Sequence, residues 1–174
     1  MLRKALKNDE DAIVRVYDEI LKFQSQNINY TNWQKGLYPT RETAIEALNA
    51  GTIYVGEEMG EITGCVILNN SQPKEYSVIP WSISAKENEI LVIHTLCILP
   101  SKAGRGLGKK YVNDIEKIAK DFDYKTIRLD TYEKNEPAIA LYKKQGYSFA
   151  GKTDFNFQNC ILETLVCFEK KVVK

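Results

Sequence analysis

The chain has 174 residues, of which 44% are hydrophobic and 27% charged, with a formal net charge of +1. That length suits one ordinary domain that buries about 70% of its unfolded surface and needs no metal or disulfide staple. The near balance of 24 Lys and Arg against 23 Asp and Glu argues against a general nucleic-acid binder, though it leaves room for a local basic patch.

No apolar run reaches the ~18 residues of a membrane span. Met1 to Ala5 lead into polar residues without a signal-peptide core, so the expected setting is cytoplasmic. Cys65, Cys97, Cys160 and Cys167 form no close pair and have apolar neighbours, the pattern of buried free thiols in a reducing compartment. His94 is the sole histidine, which leaves little to build a metal site from, and none is expected. With no repeat and no linker, residues 1–174 read as a single domain.

Leu2 to Leu6 read as a first strand, and Asn8 or Asp9 can cap the helix that follows. Ile13, Val16, Tyr17, Ile20 and Leu21 recur at helical spacing. Pro39-Thr40 opens a second helix with Ala44, Ile45 and Leu48 as its apolar face, and Gly51 is placed to end it in the left-handed conformation. Thr52–Glu57 and Ile62–Leu68 read as two strands joined by a turn at Glu58-Met59-Gly60-Glu61. Asn69–Glu89 reads as a long polar loop. Glu89–Leu99, the most apolar stretch, reads as a buried central strand stopped by Pro100.

Leu107–Phe122 has helical spacing, Thr126–Thr131 is a strand, and Pro137–Gln145 a short helix closed by Gly146. Tyr147–Thr153 and Cys160–Glu169 are the final strands. The order β-α-α-β-β-β-α-β-α-β-β predicts an α/β fold with a mixed, twisted sheet and helices on both faces.

Gly104-Arg105-Gly106-Leu107-Gly108-Lys109 lies between the buried strand and an amphipathic helix. Glycines let a diphosphate approach the backbone, and a helix N-terminus adds free amides and a positive dipole end. The spacing breaks the P-loop pattern, since three residues rather than four separate Gly104 from Gly108-Lys109, and it lacks the G-x-G-x-x-G of a dinucleotide fold. Taken alone, the triplet is equally a plain tight turn.

This segment resembles the acyl-CoA motif of the GNAT superfamily of N-acetyltransferases, Gln/Arg-x-x-Gly-x-Gly/Ala after an apolar strand. Gly106 and Gly108 match its glycines, and Ala103 stands where the family has Gln or Arg. Asn135-Glu136-Pro137-Ala138-Ile139-Ala140-Leu141-Tyr142-Lys143-Lys144-Gln145-Gly146-Tyr147 is similar to the family's other hallmark, Asn-x-x-Ala-x-x-Leu-Tyr-x-x-x-Gly-Phe, with Tyr147 for Phe. The resemblance covers nearly the whole chain. It implies a mostly antiparallel sheet of about seven strands, splayed at the central strands, and acetyl-CoA as co-substrate without a metal.

The resemblance further implies that backbone groups of Leu96, Cys97 and Ile98 bond the pantetheine amides. Gly104, Arg105, Gly106, Leu107, Gly108 and Lys109 would take the diphosphate. Asn135 would bond the pantetheine arm or fix its own loop, and Tyr142 would protonate the departing thiolate. Tyr142 is equally readable as a helix tyrosine packed on the sheet.

An ammonium cannot attack a thioester, so a base is required. His94 and Asp130 are the two candidates, with a core histidine and a strand-end solubilising charge as the structural alternatives. Nothing near Cys97 pairs it with a base, which argues against a covalent acetyl-cysteine. Trp33, Tyr76 and Trp81 are candidate substrate-binding residues, or else they pin their loops to the core.

The expected activity is transfer of acetyl from acetyl-CoA to a primary amine of a small molecule or peptide, with no nucleic acid or membrane as partner. Alternatives are another acyl-CoA, a protein N-terminus as acceptor, or a non-catalytic CoA-binding sensor. The final strands are candidates for pairing across a homodimer.

Overall fold

Helix α1 (Glu10–Gln26) buries Ile13, Val16, Tyr17, Ile20 and Leu21, the set that its 3.6-residue spacing selects. A computed structural model describes residues 1–157 and 161–173 of the chain. Cys160, expected as a buried thiol at the start of the last strand, lies outside the described residues.

Strand β1 (Leu2–Lys4) is shorter than its apolar residues suggested. Asp9 does not cap α1 with its side chain. Its carboxylate accepts instead from the Leu6 N–H at 2.7 Å and from Arg3 Nη1 at 2.7 Å, so a 3₁₀ turn over Lys7–Asp9 precedes the helix. In α2 (Arg41–Ala50) the buried residues are Ala44 and Ala47, while Leu48 packs only partly against the core. Thr40 caps this helix by accepting from the Thr43 N–H, and Gly51 ends it at φ +65°.

Strands β2 (Ile53–Glu58) and β3 (Glu61–Asn69) form a hairpin across Met59 and Gly60. Both turn residues have positive φ, +51° and +78°, matching the twist of the flanking strands. Residues 69–89 are not wholly irregular, since 3₁₀ turns occupy Lys74–Val78 and Glu87–Glu89. Next come β4 (Ile90–Ile98), α3 (Leu107–Asp121), β5 (Thr126–Tyr132), α4 (Glu136–Lys144), β6 (Ser148–Phe157) and β7 (Ile161–Lys171).

The strand order is β1-β2-β3-β4-β5-β7-β6. β4 and β5 pair in parallel, while β1–β2, β2–β3, β5–β7 and β6–β7 are antiparallel. The β4–β5 register runs from Ile90↔Thr126 to Ile93↔Leu129, although β4 continues to Ile98 and β5 to Tyr132.

The chain divides into two units. The first comprises residues 1–29, 33–68 and 94–115, the second residues 30–32, 69–93 and 116–174. The core of the first gathers Ile13, Val16, Tyr17, Ile53, Val55, Cys65, Cys97 and Leu99. That of the second gathers Tyr76, Ile79, Ile90, Val92, Phe155, Leu165 and Cys167. Each fully buried aliphatic or aromatic side chain contributes about 1.5–3 kcal/mol relative to exposure.

In the first unit two strand glycines set how closely α3 and β4 approach. A Cβ at Gly56 would overlap the Tyr111 hydroxyl, and one at Gly64 would overlap the Cys97 carbonyl oxygen. The Tyr111 and Thr63 hydroxyls bond at 2.6 Å, and Thr63 also donates to the Gly56 carbonyl at 3.1 Å. These contacts fix the first turns of α3, and with them the glycine turn that opens the helix.

Candidate active site

Gly104 and Gly106 adopt φ +75° and +78°, in the left-handed region that a Cβ disfavours. A Cβ built at either would meet no heavy atom within 4 Å among the described residues, so both face open space. The Lys110 N–H donates to the Gly106 carbonyl at 3.1 Å and starts α3, leaving first-turn amides for an anion. Arg105 and Lys109 are exposed beside them, and Ala103 is exposed without charge. Lys102 pairs with Glu61 at 2.7 Å and Lys110 with Glu58 at 3.1 Å. Each of these glutamates is held below the usual carboxylate range, first by its lysine's hydrogen bond. A cleft of about 370 Å³ is lined by Glu58, Met59, Glu61, Lys102 and Arg105. Lys102 is thus engaged with Glu61 of the β2–β3 hairpin, while Arg105 is exposed beside the turn.

In β4, Leu96 and Ile98 are half-buried and Cys97 is buried, all three beyond the end of the β4–β5 register. Burial and a neighbouring Cys65 push the Cys97 thiol well above its ordinary value, the opposite of an activated nucleophile. Cys65, Cys97 and Cys167 are buried free thiols. His94 is half-buried one residue before Thr95, which stays within β4 at a left-handed φ of +49°. Tyr38 and Thr95 join through their hydroxyls. Trp33 stands edge-on to Tyr38, with centroids 5.7 Å apart, and packs against the first core.

In the second unit Asp130 accepts from the Tyr76 hydroxyl at 2.8 Å. Burial pushes its carboxyl up to about 6, although the Tyr76 hydrogen bond acts the other way. Glu163, also raised by burial, accepts from the Asn32 amide at 3.1 Å. Tyr76 is 3% exposed and tilts against Trp81 at 4.9 Å, so this pair anchors its loop. Trp81 lies under the Arg128 guanidinium, 4.3 Å from the ring centroid.

Arg128 and Glu169 are a buried pair at 4.0 Å. Arg128 donates to Gln72 at 2.8 Å and to the Ile83 carbonyl at 3.1 Å. Glu169 accepts from the Ser82 N–H and hydroxyl at 2.6 and 2.7 Å. Sequence patterns gave no hint of Tyr38, Arg128, Glu163 or Glu169. Glycines within strands at 56 and 64, a known mark of close backbone approach, were the one available signal for the Tyr111 contact.

Asn135 caps α4, accepting from the Ala138 N–H at 3.3 Å and donating to the Thr131 hydroxyl at 3.0 Å. Its amide fixes the loop, the second of the roles expected for it. Tyr142 is 5% exposed and packs against Tyr147 and Phe168, with centroids 5.5 and 6.4 Å away. Among the described residues no cluster of His, Cys, Asp and Glu could hold a metal ion, and no helix is long and apolar enough to cross a membrane.

Comparison with known proteins adds to this geometry. The sequence model of the acetyltransferase (GNAT) family matches residues 15–147. A spermine/spermidine N(1)-acetyltransferase of Bacillus subtilis (strain 168) is 38% identical over 63 residues, 36% of this chain and 41% of that protein. The match therefore spans about two fifths of that relative's length. A 5-NmdU N-acetyltransferase of Pseudomonas phage PaMx11 is 27% identical over 153 residues, covering 88% of this chain and 90% of that protein. A GNAT-family acetyltransferase structure from Streptococcus agalactiae 2603 aligns with a TM-score of 0.83 at 21% identity, over 100% of this chain and 96% of that one. A Salmonella typhimurium structure described with its cofactor acetyl-CoA aligns with a TM-score of 0.70 at 16% identity, over 100% of this chain and 94% of that one.

Proposed function

This chain belongs to the GNAT acetyltransferase family, and on that premise we propose that it transfers the acetyl group of acetyl-CoA to a primary amine by direct attack in a ternary complex. The observation that carries the reading is the turn at Gly104 and Gly106: two left-handed glycines with open space before them, at the head of a 15-residue helix. A diphosphate fits such a turn, since the amides converge and no side chain blocks approach. The Salmonella typhimurium neighbour described with acetyl-CoA supports the same ligand.

Acetyl-CoA supplies an activated thioester. Gly104, Gly106, Leu107 and Gly108 offer backbone amides to its phosphates, with Arg105 and Lys109 adding charge. The backbone of Leu96, Cys97 and Ile98 lies outside the β4–β5 ladder and suits an amide-bearing arm. Asp130 takes the amine proton. Its carboxyl, raised to about 6, is ionised at neutral pH yet a stronger base than a surface aspartate. His94, half-buried on β4, is the second candidate for that proton. Tyr142 gives its phenolic proton to the sulfur as the thiolate leaves.

The acceptor is a primary amine, in line with relatives named for spermine and spermidine and for 5-NmdU. Trp33 is assigned to the acceptor side, whereas buried Tyr76 and the half-buried Trp81 against it hold the loop around Asp130. Residues 1–174 are read as one catalytic domain working in the cytoplasm, with neither nucleic acid nor membrane as partner.

A thiol-release screen over polyamines, aminoglycosides, amino acids and peptides tests this reading. Release of CoA thiol with an acetylated amine as co-product is expected for at least one class. Binding of acetyl-CoA with no release for any amine would favour a CoA-binding sensor instead.

A further inference from the structure

Thr95 is a β-branched residue held at φ +49° within a strand. Such residues avoid this region, because the branched side chain crowds the backbone, and the conformation persists only when its surroundings hold it. It sits between His94 and the Leu96–Ile98 backbone, and it is 8% exposed. Its hydroxyl bonds that of Tyr38, which is 57 residues away in sequence and lies on the connection between α1 and α2. Trp33, from the same connection, stands edge-on to Tyr38 at an interplanar angle of 82°.

We propose that Tyr38 is a positioning residue: its hydroxyl locks Thr95 in the left-handed conformation and so sets the direction of the β4 backbone from Leu96 to Ile98. The inference rests on the reading of that backbone as the pantetheine contact. One left-handed residue in a strand turns the peptide groups that follow it out of the ladder direction, as a bulge does. Without the lock, Thr95 relaxes towards extended geometry, and the amides of Leu96 and Ile98 turn with it. In this role Tyr38 acts through Thr95. The residue that orders the α1–α2 connection is therefore also the one that shapes the strand.

The test compares Tyr38→Phe, Thr95→Ala, Thr95→Ser and Thr95→Gly in the full chain. CoA affinity is read by calorimetry, and KM for acetyl-CoA and kcat by thiol release. Tyr38→Phe and Thr95→Ala each lose the hydroxyl bond while keeping a Cβ that disfavours the left-handed conformation. Each should raise the CoA Kd and the KM for acetyl-CoA about three- to tenfold, the range for one net hydrogen bond. Thr95→Ser keeps the bond and should match the wild type. Thr95→Gly has no Cβ to strain, so it should stay near wild type and make Tyr38→Phe silent in the double variant.

If Thr95→Gly is as impaired as Thr95→Ala, or if Tyr38→Phe leaves affinity unchanged, the lock is refuted. Thermal unfolding without ligand separates this from a failure of the cofactor reading. Tyr38→Phe should lower Tm by about 2–4 °C in the otherwise wild-type chain, and not when combined with Thr95→Gly. That pattern persists even if no CoA binds, and equal losses in both backgrounds would overturn the lock.

Discussion

The Tyr76 hydroxyl donates to the Asp130 carboxylate at 2.8 Å, and Tyr76 is itself buried with its own pKa pushed well above the ordinary value. Tyr76 therefore stays a donor over the working range of pH and favours the ionised form of Asp130. Burial of the carboxylate opposes it and prevails.

A pH dependence of activity follows. The base must be ionised to take the amine proton, so kcat/KM should rise with pH through about 6, the value to which Asp130 is raised. Asp130→Asn should abolish this limb and lower kcat about 10²–10⁴-fold. Tyr76→Phe removes the bond that lowers the Asp130 pKa, so the limb should move to higher pH. A profile unchanged in Asp130→Asn would transfer the role to His94.

The same carboxyl affects stability. Its folded pKa lies above its unfolded value near 3.9, so the folded state binds the proton more tightly. The associated stability is present below pH 4 and is lost as pH rises through about 6. Asp130→Asn should therefore stabilise the protein by roughly 2–3 kcal/mol at pH 7.5 and have little effect at pH 4. Urea titrations at the two pH values measure the difference.

Glu169 and Arg128 share a buried site, at 2% and 7% exposure. Removing one charge strands the other away from water, a cost of about 3–5 kcal/mol. Glu169→Ala should be destabilised by that amount. It should also loosen residues 72–83, seen as faster amide exchange at Ser82 and Ile83, whose N–H groups bond Glu169.

Gly64 tolerates no side chain. A Cβ there would press on the Cys97 carbonyl oxygen and, at 2.8 Å, on the Tyr111 ring, both on packed elements. Gly64→Ala should cost at least about 1–3 kcal/mol in denaturant titrations, by overpacking. Gly106→Ala meets open space but a strained φ, so it should cost only about 1 kcal/mol in stability while weakening acetyl-CoA binding.

What the sequence revealed and what it hid follow from the range of the interactions. The α1 face, the Gly51 terminus, the hairpin turn and the Asn135 cap depend on residues a few positions apart, and local spacing predicts them. The glycine turn from Gly104 to Lys109 was legible as a turn because its residues are consecutive, and the reading of it as a cofactor site came from the family resemblance. The long-range pairings were not legible. Tyr76 meets Asp130 across 54 positions, and Tyr38 meets Thr95 across 57. Such pairings leave no periodic signal. Asp9 illustrates a competition that propensity omits: its carboxylate was available to cap α1, but Arg3 and the Leu6 N–H hold it. Trp81 read as a loop aromatic, and only the neighbouring Arg128 and Tyr76 reveal it as an anchor.

The most direct test of acetyl transfer is to mix the purified chain with acetyl-CoA and a primary amine, and to follow free thiol and acetylated amine together. Equal amounts of both are expected, with Tyr142→Phe reducing kcat while Kd for acetyl-CoA is preserved. Absence of acetyl-CoA binding at millimolar ligand, or binding without acetylated product across all amine classes, would contradict direct transfer by this chain.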